Sequence, residues 1–152
     1  MKIKIIAVGK LNDNNLKAIL NEYQKRIKNI TITEIATKNS YKETDQQAQK
    51  IQYKEIIKNI SPQDIVVSMD ENGEQFNSKN FAKFLLGTSE KFGKTISFVI
   101  GGAPGLDSRI ISQSYKTISL SKMTLPHMLA RVFLIEQIYR SQSINQGHPY
   151  HK

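Results

Sequence analysis

The chain has 152 residues, of which 39% are hydrophobic, and its 22 Lys and Arg against 13 Asp and Glu give a net charge of +9 at pH 7. This composition argues against wholesale disorder, and the absence of cysteine excludes disulfides and thiol catalysis. No apolar run approaches the ~20 residues of a membrane span, and the short alternating N-terminus is unlike a secretory signal, so we expect a cytoplasmic protein without a membrane partner. The positive charge is spread along the chain, which predicts either a nucleic-acid partner or a basic surface that serves solubility alone.

Strand and helix patterns alternate along the whole chain. In order, they predict a strand at 2–8, a helix at 16–27, a strand at 30–35, a helix at 53–60 after a polar loop, a strand at 65–69, a helix capped by Ser78, a strand at 95–100, a helix at 106–115, a strand at 116–120 and a helix at 125–142. Strands separated by helices form parallel sheets covered on both faces. We therefore predict one α/β domain over residues 1–152, with a mostly parallel sheet of five or six strands.

Three loops with unusual chemistry follow the third, fourth and fifth predicted strands. They are 70–73 (DENG), 101–105 (GGAPG) and 121–126 (SKMTLP). Ligands of parallel sheets bind outside the carboxyl ends of the strands, so these loops are expected to converge on one site.

Familiar site motifs do not account for these loops. The glycines read G-G-x-x-G after the fourth strand, whereas a dinucleotide fingerprint needs G-x-G-x-x-G after the first, with an acidic residue about 20 positions later. His148 and His151 are three apart around Pro149, but no third ligand follows, so no metal site is predicted. Glu136 and Arg140, taken alone, read equally well as an ion pair on a helix surface.

The family resemblance rests on a combination of segments spread over the whole chain. They are Val8-Gly9-Lys10-Leu11, Ile100-Gly101-Gly102-x-x-Gly105-Leu106, Leu120-Ser121-Lys122-Met123-Thr124-Leu125-Pro126-His127, then Arg131, Glu136, Tyr139-Arg140, and Pro149-Tyr150-His151-Lys152. Together they resemble the ribosomal large-subunit methyltransferase H family of the SPOUT superfamily. The resemblance implies a deep C-terminal trefoil knot, a homodimer, and S-adenosylmethionine as methyl donor. It also implies methylation at N3 of a pseudouridine in 23S rRNA on the assembled ribosome.

The resemblance carries site residues over by matching position. Donor binding falls on Met69, Gly101, Gly102, Leu120, Ser121, Lys122, Met123, Thr124, Leu125 and Pro126. Of these, Lys122 is expected to point outward, and Thr124 to cap the last helix. Catalysis falls on His127, Glu136, Arg140, Tyr150 and His151.

The catalytic roles start from the acceptor, an imide N–H that must lose its proton. His127 is the first candidate for the base, with Glu136 and His151 as rivals. Arg140 would stabilise the imide anion or position a phosphate, and Tyr150 would stack on a base. His127 and Arg131 are expected to face RNA.

Two positions depart from the family pattern, and several alternatives stay open. Met69 stands where Leu is usual, and Glu74 where a basic residue is frequent, which puts one RNA contact in doubt. The broad apolar face of the last helix predicts a two-fold interface formed by Met128, Leu129, Val132, Phe133, Ile135 and Ile138. The alternatives are a methyltransferase of another RNA such as tRNA, a non-catalytic ribosome-binding factor, and a nucleotide-dependent oxidoreductase.

Overall fold

A computed structural model of the chain describes residues 1–36 and 44–151. Within those ranges, five strands alternate with five helices. They are β1 Lys2–Val8, α1 Asn14–Arg26, β2 Ile30–Ile35, α2 Asp45–Lys58, β3 Ile65–Gln75, α3 Ser78–Phe92, β4 Thr95–Ile100, α4 Ser108–Gln113, β5 Lys116–Ser119 and α5 His127–Asn145.

The five strands form one sheet in the order β2-β1-β4-β3-β5, and every neighbouring pair is parallel. The predicted α/β class and parallel sheet are therefore confirmed, with five strands. The trefoil knot stays a prediction from the resemblance, and the single domain spanning residues 1–152 stays a prediction from the length and the pattern of elements.

Alternation along the strands divides the core between the two faces of the sheet. In β1, Ile3 and Ile5 pack in a cluster that includes residues of α1, α3 and α5. Ile6, the residue after Ile5, packs with Ile56 of α2 and Ile110 of α4. Successive strand side chains point to opposite faces, so this partition places three helices on one face and two on the other, as expected.

Strand β3 extends well beyond the predicted end at Met69. Met69 and Glu74 both align with Ile118 of β5, so residues 70–73 bulge out between two paired stretches of the same strand. The predicted loop is thus an excursion within a strand. Gly73 allows the strand to resume, because a Cβ there would lie 2.5 Å from the carbonyl carbon of Ile118.

Helix boundaries also differ from those predicted. Helix α2 begins eight residues before Tyr53, and Thr44 and Gln47 close a capping box at its start. Its first turns are polar, so apolar spacing did not reveal them; part of the predicted polar loop, residues 37–43, lies outside the described residues. Asn77 caps α3, while the Ser78 hydroxyl donates to Gln137 of α5 at 2.8 Å.

Helix α5 supplies both core and surface. The predicted two-fold interface is wrong for Ile135 and Ile138, which are fully buried inside their own chain. Leu129 and Phe133 remain 43% and 44% exposed.

In the described part of the chain, no helix combines the length and apolar character that crossing a bilayer requires.

Candidate functional site

The loops after β3, β4 and β5 line one cavity of about 740 Å³ at the carboxyl ends of the strands. Their convergence was expected from the sequence, and the structure confirms it. Nine of the ten residues predicted to bind the donor line this cavity: Met69, Gly101, Gly102, Leu120, Ser121, Met123, Thr124, Leu125 and Pro126. The tenth, Lys122, is exposed and lies outside the lining, as its predicted outward direction requires.

The charge of the cavity wall is opposite to that of the whole chain. Asp70 and Glu71 line the cavity, and among the described residues no Lys or Arg does so, although the net charge is +9. A cavity of this size with apolar walls and two carboxylates suits a small organic cation.

The glycine-rich turn after β4 is compact and is supported from behind by α2. A Cβ on Gly101 would lie 2.8 Å from the carbonyl carbon of Gly105. Gln52, itself buried, accepts from the Gly102 N–H at 3.3 Å, and Gln49 donates to the Pro104 carbonyl at 2.6 Å. Neither glutamine was predicted from the sequence, because both precede residue 53, where the apolar spacing predicted the helix to begin.

Strand β5 passes into α5 through a turn without the predicted helix cap. Thr124 does not cap α5, whose N-cap position is taken by Pro126 without a side-chain hydrogen bond. Instead, the Thr124 hydroxyl lies 3.4 Å from a carboxylate oxygen of Glu71 across the cavity mouth. Met123 beside it is 72% exposed.

His127, the first residue of α5, is the predicted catalytic residue that lines the cavity. Its imidazole rests against Gly9, where φ is +88° and a Cβ would lie 3.4 Å from Nε2. Partial burial lowers the pKa of His127 below its ordinary value of 6.5, and the positive charge of Arg131 lowers it further. The ring is therefore neutral at pH 7 and can accept a proton.

The expected orientation of Arg131 towards RNA is wrong. Its side chain is fully buried. Nη1 donates to Glu34 of β2 at 2.6 Å, and Nη2 donates to the carbonyls of Gly9 at 3.0 Å and Val8 at 3.4 Å. The residue lies one helical turn after His127 and faces the interior, where its guanidinium reaches the ends of β1 and β2.

The other four predicted catalytic residues gather near the far end of α5. Arg140 donates to Glu136 through Nε at 3.0 Å, and its Nη1 lies 3.4 Å from Nδ1 of His151. The Tyr150 hydroxyl donates to Glu136 at 3.0 Å and lies 3.1 Å from the hydroxyl of Tyr23. Glu136 and Arg140 are thus more than a simple ion pair on a helix surface, because they belong to a hydrogen-bond network that holds the C-terminal tail against α5. Lys152, the last residue of that tail, lies outside the described residues.

This cluster holds its members in defined protonation states. Burial raises the pKa of the Tyr150 hydroxyl, and the hydrogen bonds with Tyr23 and Glu136 raise it further. The hydrogen bond to Glu136 raises the pKa of Arg140. The Arg140 guanidinium also lies 4.7 Å from the Tyr150 ring centre, so that it covers a face of the ring predicted to stack on a base.

The cavity and the cluster are too far apart to act on one atom within a chain. His127 and Arg140 are 13 positions apart on one helix, which at 1.5 Å per residue separates them by about 20 Å.

Across residues 1–36 and 44–151, no three His, Asp or Glu side chains gather as a metal ion would require.

Comparison with known proteins identifies relatives over the full length of the chain. A family model described as "Predicted SPOUT methyltransferase" matches residues 1–151. Proteins named "Ribosomal RNA large subunit methyltransferase H" from Acholeplasma laidlawii and Clostridium tetani are each 40% identical, with 100% of both chains covered. The solved structure titled "The structure of a probable methylase family protein from Haemophilus influenzae Rd KW20" aligns with a TM-score of 0.57 at 12% identity, over 99% of this chain and 70% of that one. At that identity, the last likeness supports the fold alone.

Proposed function

The chain belongs to the SPOUT methyltransferase family, and on that premise we propose that it methylates N3 of a pseudouridine in 23S rRNA with S-adenosylmethionine as donor. Relatives 40% identical over their full length carry the name of a methyltransferase of large-subunit ribosomal RNA. The pseudouridine, its N3 atom and the assembled ribosome as substrate follow from the family resemblance, and the cytoplasmic location follows from the sequence composition.

The observation that carries the proposal is the acidic cavity in a basic chain. S-adenosylmethionine is a net cation with an apolar adenosine, and the cavity offers both the carboxylates of Asp70 and Glu71 and apolar walls from Met69, Leu120 and Leu125. The rest of the surface carries the excess positive charge that favours an RNA backbone. One chain thus separates a site for a cation from a surface for a polyanion.

The turn after β4 fits a donor that binds through the backbone. Gly101 and Gly102 line the cavity without side chains, and the turn is so compact that a Cβ on Gly102 would lie 3.0 Å from Gln52. Glycines there let a ligand approach the backbone of the turn closely, although the Gly102 N–H is already donated to Gln52 and its carbonyl accepts from the Gly105 N–H. Bound there, S-adenosylmethionine would supply an electrophilic methyl group on a sulfonium centre.

His127 is placed to take the proton that the acceptor must lose. Its neutral imidazole lines the cavity, so a ring nitrogen can receive the N3 proton of a base presented at the cavity mouth. Glu136 is the weaker candidate because Arg140 and the Tyr150 hydroxyl both donate to its Oε1. His151, whose Nδ1 lies 3.4 Å from Arg140, remains the other candidate for the base.

A complete site then requires two chains. Because about 20 Å of helix separates His127 from Arg140, we place the Arg140, Tyr150 and His151 cluster of one protomer beside the cavity of its partner. Leu129 and Phe133, exposed on α5, would be covered at the two-fold interface. Sedimentation is expected to give a dimer at micromolar concentration, and a monomer would refute this arrangement.

Mixing inactive variants tests the shared site directly. In a mixed dimer of His127→Ala and Arg140→Ala chains, one site would contain both substitutions and the other neither. After subunit exchange, recovery of about a quarter of the parent activity is expected, since half of the dimers are mixed and each carries one intact site. If each site were built within one chain, no activity would return.

The proposed reaction is tested by mass spectrometry of 23S rRNA from cells with and without this protein. Loss of one N3-methylated pseudouridine is expected when the protein is absent. Methyl transfer to purified ribosomes, free 23S rRNA and tRNA then separates the substrates, with the assembled ribosome expected to be preferred. Transfer to tRNA alone would identify another RNA as substrate.

Calorimetry with the donor separates an enzyme from a binding-only ribosome factor. Saturable binding is expected for the parent protein. Gly101→Ala should weaken binding roughly tenfold or more, or about 1.4 kcal/mol, because its Cβ would force the turn open. The control, Gly87→Ala, adds a Cβ where no atom lies within 4 Å and should leave affinity unchanged. Absence of binding to the parent would support the binding factor.

A further inference from the structure

We propose that Arg131 is a positioning residue for the donor cavity: from inside the protein it fixes the turn after β1, and through that turn it holds the His127 imidazole at the cavity wall. This inference rests on the proposed function, which makes His127 a catalytic candidate. Its geometry is independent of that function.

The guanidinium of Arg131 connects α5 to the ends of two strands. It donates to the carbonyls of Val8 and Gly9, where β1 ends, and to Glu34 near the end of β2. The same Oε1 of Glu34 accepts the Leu11 N–H at 3.0 Å. The turn 9–11 is therefore held at both ends by one charged pair.

That turn is the surface on which His127 rests. Gly9 donates its N–H to the Ile35 carbonyl at 2.8 Å, so the backbone at Gly9 is fixed from β2 as well. Its φ of +88° is a conformation that glycine adopts without strain, and a Cβ there would lie within 3.4 Å of the His127 ring. A shift of this turn would leave the imidazole without its support on that side.

Stability alone is a poor explanation for a charge in this position. Burying a charged side chain such as that of Arg131 costs desolvation free energy that the attraction of its partner often fails to offset, and an apolar residue of similar size is frequently as stable. The buried Nε of Arg131 also lacks a hydrogen-bond partner among the residues that the structure describes, which adds to the cost. What an apolar residue could not provide is three directed hydrogen bonds to Glu34, Val8 and Gly9.

Nuclear magnetic resonance can report the environment of the His127 ring independently of catalysis. The variants are Arg131→Met, which keeps the length and removes the donors, Arg131→Lys, which keeps the charge, and Glu34→Gln. Lys58→Met is the control, because within residues 1–36 and 44–151 Lys58 forms an ion pair with Glu55 alone, on the exposed side of α2. Imidazole ¹H–¹³C spectra of each protein are recorded without donor, and the His127 signal is assigned by its loss in His127→Asn.

Arg131→Met is expected to shift or broaden the His127 signal while the signals of His148 and His151 stay in place. The turnover number should fall roughly 10²-fold, as displaced catalytic groups do, with little change in the Michaelis constants. Arg131→Lys should recover part of both effects, and Lys58→Met should match the parent.

An unchanged His127 signal in a folded Arg131→Met protein would overturn the proposal. If that variant does not fold, unchanged signals in both Arg131→Lys and Glu34→Gln would overturn it equally. Failure of the proposed function would instead appear as a parent protein that neither binds the donor nor transfers methyl groups, whatever the imidazole spectra show.

Discussion

Replacing Gly73 with alanine tests the contact between β3 and β5 that shapes the proposed donor cavity. The added Cβ would lie 2.5 Å from the carbonyl carbon of Ile118 and 2.7 Å from the backbone nitrogens of Ile118 and Ser119. Ordinary carbon contacts begin at about 3.5 Å, so the strands must separate by about 1 Å. Gly73 does not have a positive φ, so the whole effect is steric.

The expected cost follows from that displacement. Overpacking of this kind destabilises a protein by about 1–3 kcal/mol, which lowers the melting temperature by roughly 2–4 °C per kcal/mol in a chain of this length. The end of β5 leads directly into the 120–126 loop, so a 1 Å shift there should also lower methyl transfer by roughly 10²-fold. Thermal unfolding followed by circular dichroism and radiolabelled methyl transfer to ribosomes measure the two effects.

The control is the same substitution at Gly87, in the middle of α3, where an added Cβ meets no atom within 4 Å. Alanine there should stabilise the protein by about 0.5–1 kcal/mol, because glycine is a poor helix former. The two alanines should therefore change the melting temperature in opposite directions. A Gly73→Ala protein as stable and as active as the parent would refute the close approach of β3 to β5.

Three further predictions address charge, tail and assembly. The hydrogen bond from Arg109 lowers the pKa of Asp107 from 3.8 to about 2. Between these two pH values the unfolded chain binds more protons than the folded chain. The contribution of Asp107 to the free energy of unfolding is therefore full above pH 4 and is lost as the pH falls towards 2. Denaturant titration should find Asp107→Asn about 2 kcal/mol less stable than the parent at pH 5, with the difference shrinking towards pH 2; a constant difference would contradict the pairing. Tyr150→Phe removes the hydrogen bond to Glu136 and should cost about 1 kcal/mol in thermal unfolding, with a larger loss of methyl transfer; equal activity would remove the tail from the site. Phe133→Asp should convert the dimer to monomer in sedimentation and abolish transfer, and a dimer that persists would place the interface elsewhere.

The fold was predictable because its signals are local. Strands such as 95–100 (TISFVI) are apolar runs bounded by breaks, and the spacing of Leu16, Leu20 and Tyr23 marks one face of a helix. The convergence of three loops also followed, since parallel strands bring their carboxyl ends to one edge. These inferences need only the period of the pattern and the order of the elements.

The misses arose where the deciding contact is distant in sequence. Nothing near Gly73 signals that β3 resumes after a four-residue excursion, because the reason is the backbone of Ile118, 45 positions later. Arg131 resembled an exposed cation until its partners, 97 and more positions away, were known. Ile135 and Ile138 extended the apolar face of α5, but no pattern in α5 says which part of that face meets its own sheet.

The position of Arg131 behind His127 bears on how the proposed site could hold both a sulfonium cation and a neutral imidazole. A lone Arg131 would repel a sulfonium centre, but a carboxylate oxygen of Glu34 lies 2.6 Å from Nη1 of Arg131. At a distance, the two opposite charges therefore act as a dipole whose field falls off quickly. Burial lowers the pKa of His127, one helical turn away, and the nearby Arg131 guanidinium lowers it further. The ring therefore stays neutral while the cavity, faced by Asp70 and Glu71, stays attractive to positive charge. In the proposed reaction, an imidazolium at the same place would both repel the donor and have no capacity to accept the proton of the acceptor, so a neutral His127 would favour both donor binding and proton removal.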